Sequence, residues 1–351
     1  MVRSPAVGLT GKEAVHGTPA GGLCSEKMNP YIGHESQCAR IEEHRLVGGK
    51  GDGMRLFEMM NGRGLELTVS ADRNADIARL TCRGINMSYF SPCGYVAPAY
   101  YREQGNGFLA SFTAGFLTTC GLSAVGTPCS DAGEELPLHG TIANQPAEHI
   151  CCTEEKDALI FSSRTSDEAI FGRKLVLHRT IRVSKEENSF TLTDVIENTG
   201  DRTEPLELLY HMNMGYPLLD EDSIVKIAST GVKPRNAHAA EQMQEWNRME
   251  QPQAGYEERC YYHTMGTCGY ASIFQPKLSS GLAISYDPAV LDCFVEWKMM
   301  GVRDYVLGLE CGNCYPDGRD VMRAQGLLKM IAPGEKKTYS VTVRMMDRQE
   351  L

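Results

Sequence analysis

Alternation of apolar and polar residues over short stretches is the main pattern in this chain from residue 54 onward. In residues 175–183 (LVLHRTIRV), β-branched and apolar side chains interleave with polar ones, which is typical of a half-buried β-strand. Residues 54–60 and 65–70 flank Asn61-Gly62, a pair that predicts the turn of a β-hairpin. Further strands, separated by turn-forming and charged stretches, are predicted at residues 76–82, 85–90, 158–163, 174–183, 190–198, 206–212, 223–227, 270–274, 282–286, 305–309 and 338–345.

Helical periodicity is rare. Residues 239–249 form the one helix of note, and residues 108–118 fit either a buried strand pair or a short helix. Many short strands at regular spacing with few helices predict an all-β sandwich or barrel. The sequence contains no internal repeat and no convincing interdomain linker, so we predict one large β-sandwich domain over residues 29–351.

Residues 1–28 do not follow this pattern. They are rich in Gly and Ala and lack the apolar core of about 7–15 residues that a signal peptide needs. Organised sequence begins just after Met28. We therefore predict that this segment is a disordered tail or a misassigned start.

Charge and hydropathy argue against several function classes. The 45 acidic and 35 basic side chains give a net charge of −10, and no cluster of basic residues offers a surface for phosphates. Nucleic acid is therefore not an expected partner. No apolar run approaches the ~20 residues that cross a bilayer, so no membrane partner is expected either.

The 13 cysteines favour reduced thiols over a disulfide scaffold, because their number is odd and the chain is long. Cys82, Cys120 and Cys293 sit in apolar segments, where cysteine behaves as a small hydrophobic residue. Cys311 and Cys314 have CxxC spacing, but no second CxxC completes a tetrahedral metal site. Because reduced thiols are typical of the cytoplasm, we predict a cytoplasmic protein. For Cys311 and Cys314, a structural or redox-metal role is the alternative.

Glu310 is the first candidate for chemistry. It ends the apolar strand predicted at residues 305–309 and precedes a Gly-containing loop. A carboxylate at such a junction is partly desolvated, and desolvation raises its pKa toward the range of a general base. The alternative is a solvated glutamate at the end of a strand.

His211 and Asn213 form the second candidate. They lie two residues apart in a predicted strand, and side chains alternate with period two, so both point to one face. A histidine beside an amide suits the recognition of sugar hydroxyls, and the imidazole can give or take a proton near neutral pH. The alternative is a hydrogen-bonded core histidine.

Five further residues are candidate ligands for a substrate. His139 precedes Gly in a Pro-containing stretch, as expected for a loop whose backbone approaches a bound molecule. Arg73 offers a forked donor to a sugar oxygen, although an ion pair with Asp76 is the simpler explanation. Trp297 offers an aromatic wall beside the cationic head of Lys298, although Trp is also a common core residue.

A metal site is a separate possibility. His139, His211 and Glu310 together provide two imidazoles and one carboxylate, a ligand set that zinc and other transition metals accept. The sequence has no HxH or HxxxH spacing among them. We therefore predict no metal and no cofactor, and keep the metal site as an alternative.

The order of these motifs resembles the aldose 1-epimerase (galactose mutarotase-like) superfamily. The resemblance rests on residues 136–140 (LPLHG), 209–217 (LYHMNMGYP) and 307–310 (LGLE). It is greatest to a branch of unassigned function that is called aldose 1-epimerase-like. Supporting matches, in the same order, are residues 73–77 (RNADI), 119–122 (TCGL), 125–126 (VG) and 297–298 (WK).

The resemblance implies a galactose mutarotase-like β-supersandwich with few short helices and a carbohydrate site on the concave face of one sheet. It implies that Glu310 takes the proton of the anomeric hydroxyl and that His211 protonates the ring oxygen. It also implies that His139 binds substrate hydroxyls. Ring opening and closing then interconverts the anomers by acid–base catalysis, which needs no cofactor and requires the two groups to face each other across the pyranose.

Three functions are compatible with these residues. The first is an isomerase, a mutarotase or sugar epimerase, acting on a monosaccharide or sugar derivative. The second is a keto-sugar isomerase or lyase on the same scaffold, with or without a metal that holds the enolate. The third is a non-catalytic sugar-binding protein. The absence of a basic cluster favours an unphosphorylated sugar, and the oligomeric state, a homodimer included, is left open by the sequence.

Overall fold

The computed structural model describes residues 29–348, and the predicted tail or misassigned start at residues 1–28 lies outside them. The described chain is mostly β-strand with two short α-helices, α1 (Ala237–Ala240) and α2 (Arg319–Ala324). The predicted all-β class is therefore confirmed. The strands are β1 (Arg40–Arg45), β2 (Arg55–Met60), β3 (Leu65–Ser70), β4 (Asp76–Cys82), β5 (Ile85–Asn86), β6 (Tyr89–Phe90), β7 (Ala114–Gly115), β8 (Leu117–Leu122), β9 (Cys129–Asp131), β10 (Glu134–Leu136), β11 (Glu148–Glu154), β12 (Ala158–Glu168), β13 (Lys174–Ser184), β14 (Ser189–Asn198), β15 (Glu204–Pro205), β16 (Glu207–Met214), β17 (Ile224–Ile227), β18 (Ser229–Pro234), β19 (Arg259–Met265), β20 (Gly269–Gln275), β21 (Ser280–Tyr286), β22 (Cys293–Met300), β23 (Tyr305–Gly312), β24 (Met330–Ile331) and β25 (Lys336–Met346).

Three antiparallel sheets contain most of these strands. A five-stranded sheet runs in the order β1-β2-β3-β4-β5, so its strands pair as sequential hairpins. An eight-stranded sheet has the order β11-β12-β13-β14-β25-β21-β20-β17, and a six-stranded sheet has the order β18-β19-β22-β23-β16-β8. The last strand, β25, pairs with β14 and β21 in the middle of the eight-stranded sheet.

The main core is built from the inner faces of all three sheets. Strand β13 shows how the sequence does this, because its apolar side chains are buried and, apart from Arg179, its polar side chains are partly or largely exposed. Strand β16 is buried at every position, as expected for a strand covered on both faces. Core side chains from the three sheets include Phe57, Leu67 and Leu80, then Leu177, Ile181 and Val341, and finally Tyr210, Met212 and Leu309.

Several local predictions need correction. The helix predicted at residues 239–249 is shorter, because α1 ends at Ala240 and is followed by a 3₁₀ turn at Met243–Glu245. Residues 85–90 form two short strands, β5 and β6, rather than one. Residues 108–118 divide between a 3₁₀ turn at Gly107–Ala110 and strands β7 and β8.

Candidate active site

Glu310 and His211 lie on adjacent strands of the six-stranded sheet. Strands β23 and β16 pair so that these two residues are direct antiparallel partners, which places their side chains next to each other on one face. His211 Nδ1 lies 3.2 Å from Glu310 Oε1. Both side chains are almost fully buried, at 5% and 2% exposure. The two groups named as acid and base are therefore in contact.

Their contact corrects one expectation. A pyranose cannot lie between two groups whose polar atoms are 3.2 Å apart. Glu310 and His211 therefore approach a ligand from the same side. His211 directs Nδ1 toward Glu310, and the opposite ring nitrogen, Nε2, points away from it.

A cavity of about 340 Å³ opens beside this pair. That volume lies in the range of small-molecule sites, and the walls combine aromatic and apolar side chains with a few polar ones. Besides Glu310 and His211, its lining consists of Asn106, Phe108, Leu109, Phe112, Gly126, Thr127, Pro128, Leu138, His139, Arg235, Glu258, Cys260, Val295, Trp297 and Pro316.

His139 enters the cavity from the loop that follows β10. Its φ of 60° lies in the left-handed region, and Gly140 follows with a φ of 70°. A Cβ at residue 140 would lie 2.3 Å from the carbonyl oxygen of Gly121, so only glycine fits there. The loop brings the imidazole of His139 to 5.6 Å from that of His211, ring centre to ring centre.

Trp297 forms another wall of the cavity. Its ring lies 5.2 Å from that of His211 in an edge-on arrangement. The indole Nε1 donates a 2.7 Å hydrogen bond to Glu258 Oε2, which fixes the orientation of the ring. An aromatic face held in this way is suited to stacking against the apolar face of a sugar.

Burial sets the protonation of the three central groups. Burial lowers the pKa of His139 to about 4, with a further contribution from Arg235. Burial also lowers the pKa of His211 well below its usual range, and the neighbouring His139 adds to this effect. Burial raises the pKa of Glu310 well above its usual range, and the negative charge of Glu258 contributes in the same direction.

Two candidate ligands do not reach the cavity. The Arg73 guanidinium is buried and donates to the main-chain carbonyl oxygens of Ala143, Val96 and Ser111. Asp76 accepts hydrogen bonds from both the main-chain NH and the hydroxyl of Thr119. The substrate contacts predicted for Arg73 and Asp76 therefore do not match their positions, because structural partners occupy their polar atoms.

Asp76 belongs to a fully buried ion cluster between the sheets. Arg179 Nη1 lies 2.6 Å from Asp76 Oδ1, and Nη2 lies 2.7 Å from Asp194 Oδ2. Tyr210 OH donates to the same Asp194 oxygen at 2.9 Å, and Thr119 Oγ1 accepts from Arg179. One guanidinium thus pairs with two carboxylates in the core.

Asn213 and Lys298 also lie away from the cavity. Asn213 is fully buried, and its Nδ2 donates to the main-chain oxygen of His211 at 2.9 Å, so it contacts the backbone of the catalytic candidate instead of a ligand. Lys298 follows Trp297 in strand β22 and points to the opposite face of the sheet, where it is fully buried. The predicted substrate-binding role of both residues needs the same correction.

Sequence reasoning missed two charged residues that line the cavity. Arg235 and Glu258 follow β18 and precede β19, and the two side chains approach to 4.0 Å. Arg235 is held by Asp317 at 3.2 Å and donates to Thr127 Oγ1 at 3.0 Å. Neither residue stands in a sequence motif, so no signal pointed to them.

The described residues contain one group of three possible metal ligands with their ligand atoms within 4.8 Å of one another. It consists of Glu42, His44 and Glu58 on adjacent strands β1 and β2, outside the cavity. His139, His211 and Glu310 do not form such a group. Cys311 and Cys314 are free thiols that pack in two different apolar clusters.

The family description "Domain of unknown function (DUF4432)" matches residues 51–345. The chain belongs to the DUF4432 family. No curated protein matches this DUF4432 chain by sequence. Neither helix in residues 29–348 has the length and apolar character needed to cross a bilayer.

Solved structures similar to this DUF4432 protein share its fold. A "putative aldose 1-epimerase" from Klebsiella pneumoniae is 24% identical with a TM-score of 0.82, over 87% of this chain and 83% of that one. A galactose mutarotase-like protein from Clostridium acetobutylicum is 13% identical with a TM-score of 0.63, over 88% and 99%. Galactose 1-epimerase from Lactobacillus acidophilus is 12% identical with a TM-score of 0.60, over 89% and 100%. The predicted galactose mutarotase-like fold is therefore confirmed.

Proposed function

We propose that this protein is a sugar mutarotase that interconverts the anomers of a monosaccharide or sugar derivative by acid–base ring opening. The contact between Glu310 and His211 at the wall of the cavity is the observation that carries the proposal. Anomer interconversion needs one group that removes the proton of the anomeric hydroxyl and one that protonates the ring oxygen. Both oxygens are bonded to the same carbon, so neighbouring catalytic groups on one side of the sugar suit this reaction.

A single ionisable proton on the pair lets it supply both functions. The lowered pKa of His211 and the raised pKa of Glu310 place the proton on Glu310, so the resting pair is a carboxyl beside a neutral imidazole. Transfer of this proton across the 3.2 Å contact to Nδ1 gives a second form, a carboxylate and an imidazolium. In the second form, Glu310 takes the proton of the anomeric hydroxyl while His211 gives its Nε2 proton to the ring oxygen, and the C1–ring oxygen bond breaks. Closure after rotation about C1–C2 returns both protons, so the cycle needs no external acid or base.

The remaining cavity residues supply binding and orientation. Trp297 stacks against the sugar ring, while His139 donates or accepts a hydrogen bond at a hydroxyl. Nη1 of Arg235 has its partners, Glu258 and Cys260 Sγ, at 4.0 Å, so it can donate to a further hydroxyl, and the Glu258 carboxylate can accept from one. Arg235 is the one Lys or Arg among the described lining residues and already faces Asp317 and Glu258. Because the charge of Arg235 is already paired, the cavity favours a neutral, unphosphorylated sugar.

The names of the structural relatives support the same reaction class, since the similar structures include a galactose 1-epimerase. Keto-sugar isomerisation or elimination could use the same acid and base. Its metal-assisted form would need three converging ligands, a geometry that His139, His211 and Glu310 do not show in the described chain. A sugar-binding protein without turnover has no use for an acid in contact with a base.

Polarimetry tests the proposal. Freshly dissolved α-anomers of a panel of neutral aldoses are expected to reach their equilibrium rotation faster with the protein than with buffer alone. The acceleration is expected to persist in EDTA, since the proton transfers above use side chains alone. If no sugar in the panel equilibrates faster than in a heat-inactivated sample, the mutarotase assignment is wrong.

The pH dependence of the reaction follows from burial. Because the pKa of His211 is lowered and that of Glu310 is raised, the pair keeps its single proton over a wide interval around neutral pH. We expect kcat/KM to change little between about pH 5.5 and 7.5, where an exposed histidine with a pKa of about 6.5 would titrate. A rate that follows a single ionisation near pH 6.5 would instead mean that an exposed imidazole controls catalysis.

A further inference from the structure

The long connection between β18 and β19 links both faces of the six-stranded sheet. Residues 236–258, hereafter the 236–258 connection, contain α1 and the 3₁₀ turn at Met243–Glu245. Arg235 stands at one end and Glu258 is its last residue, and both line the cavity. The connection has little regular structure for its length, and such connections are uncommon in compact domains.

Lys298 holds the middle of the 236–258 connection from the face of the sheet opposite the cavity. Its ammonium group donates to the main-chain oxygens of Arg248 at 2.6 Å and Glu245 at 3.4 Å. It also lies 3.2 Å from the Glu250 carboxylate. Two main-chain hydrogen bonds and one ion pair thus hold a lysine that is fully buried.

Neighbouring side chains attach the same segment to the sheet. Tyr305 OH donates to the main-chain oxygen of Glu250 at 2.6 Å. Trp246 packs its ring 4.9 Å from that of His263 in strand β19. The connection is therefore fixed to strands β19, β22 and β23, the strands that carry the cavity residues on their other face.

Consecutive residues of strand β22 point to the two opposite faces of the six-stranded sheet. Trp297 faces the cavity and binds Glu258, the last residue of the connection, while Lys298 faces away and binds the middle of the connection. We propose that Lys298 is a positioning residue, which fixes the 236–258 connection and thereby holds Arg235 and Glu258 in place for the substrate. This inference rests on the proposed function, because it assigns Arg235 and Glu258 to substrate binding.

A purely stabilising role would not require a lysine here. Replacing a buried ion pair with apolar side chains of similar volume is often neutral or stabilising. A buried ammonium that binds two main-chain oxygens and a carboxylate instead defines one conformation of the segment. Lys298→Met removes one partner of the pair, and the carboxylate that it leaves, Glu250, is 21% exposed to solvent. The variant is therefore expected to lose stability but to fold, and to lose the geometry of the cavity.

The two tryptophans of the chain, Trp246 and Trp297, provide a test that does not depend on turnover. In a Trp246→Phe background, the emission of Trp297 reports the cavity. Adding Lys298→Met is expected to shift this emission to longer wavelength and to increase its quenching by acrylamide, because Glu258 no longer holds the indole. Lys277→Met, which removes an exposed lysine paired with Asp220 and Asp222, is expected to change neither quantity.

Kinetics complete the test on whichever sugar the wild type turns over. Lys298→Met is expected to raise KM about tenfold, the size of one lost hydrogen bond to a charged group, with kcat within about twofold. Glu258→Gln is expected to raise KM as well. The double variant is expected to have a KM no higher than that of the more impaired single variant, since both substitutions act through the same contact.

Each outcome separates the two proposals. Unchanged Trp297 emission and KM in a folded Lys298→Met variant would overturn the positioning role. If the wild type turns over no sugar, the mutarotase proposal fails, while the emission experiment still decides whether Lys298 orders the cavity. If Lys298→Met does not fold, Tyr305→Phe removes a neighbouring attachment, and the same shift in Trp297 emission is expected from it. If Tyr305→Phe leaves the Trp297 emission unchanged, the positioning role of Lys298 is again overturned.

Discussion

Replacing Glu310 with glutamine is expected to lower kcat for anomer interconversion by about 10²–10⁴-fold, the contribution usual for a general base. The amide keeps the shape of the side chain but cannot accept the proton of the anomeric hydroxyl. His211→Ala is expected to have an effect of similar size, because it removes the group that protonates the ring oxygen. Since the two groups act as a unit, the double variant is expected to be little slower than either single variant. Polarimetric rates at saturating sugar provide the measurement.

A matched control lies on the same strand as His211. Glu207 is a buried carboxylate in β16 that accepts a hydrogen bond from the main-chain NH of Val125 and does not line the cavity. Glu207→Gln is expected to keep kcat within about threefold of the wild type, since it contacts no reacting atom. If Glu310→Gln retains wild-type kcat with a native thermal unfolding curve, Glu310 is not the base.

Removing the Arg179 guanidinium is expected to produce the largest loss of stability. Arg179→Met leaves Asp76 and Asp194 buried side by side without their counter-charge, and breaking a buried ion pair in this way typically costs about 3–5 kcal/mol. Urea unfolding measures the change in the free energy of unfolding. Combining Arg179→Met with Asp76→Asn and Asp194→Asn is expected to recover most of the loss, because no unpaired charge remains. A destabilisation below about 1 kcal/mol in the single variant would contradict this account of the cluster.

The strands that could be predicted from the sequence are those with a regular apolar pattern. Strands β13 and β14 alternate clearly because one face of each is buried in the main core. Strands β19 and β22 were not predicted, although both lie inside the six-stranded sheet. Buried polar residues interrupt their pattern, since His263, Glu296 and Lys298 occupy inward-facing positions where apolar side chains are expected.

The candidate site was predictable only in part. His211 and Glu310 were singled out as polar residues in mostly apolar strands, and the register of β16 and β23 brings them into contact. Their roles stay predictions. Arg73 was predicted to contact the substrate but binds main-chain carbonyl oxygens outside the cavity. An exposed loop arginine and one that binds buried carbonyl groups look alike in sequence. Glu258 was missed because its position depends on how a long connection folds back onto the sheet.

The most direct test of the proposed function is exchange NMR of an aldose at anomeric equilibrium in the presence of catalytic amounts of the protein. We predict exchange cross-peaks between the α and β anomeric protons with the wild type, none above the buffer level with Glu310→Gln, and no new sugar signals in either sample. The appearance of a new sugar would indicate isomerisation or elimination, and the absence of accelerated exchange for every sugar that binds would contradict mutarotation.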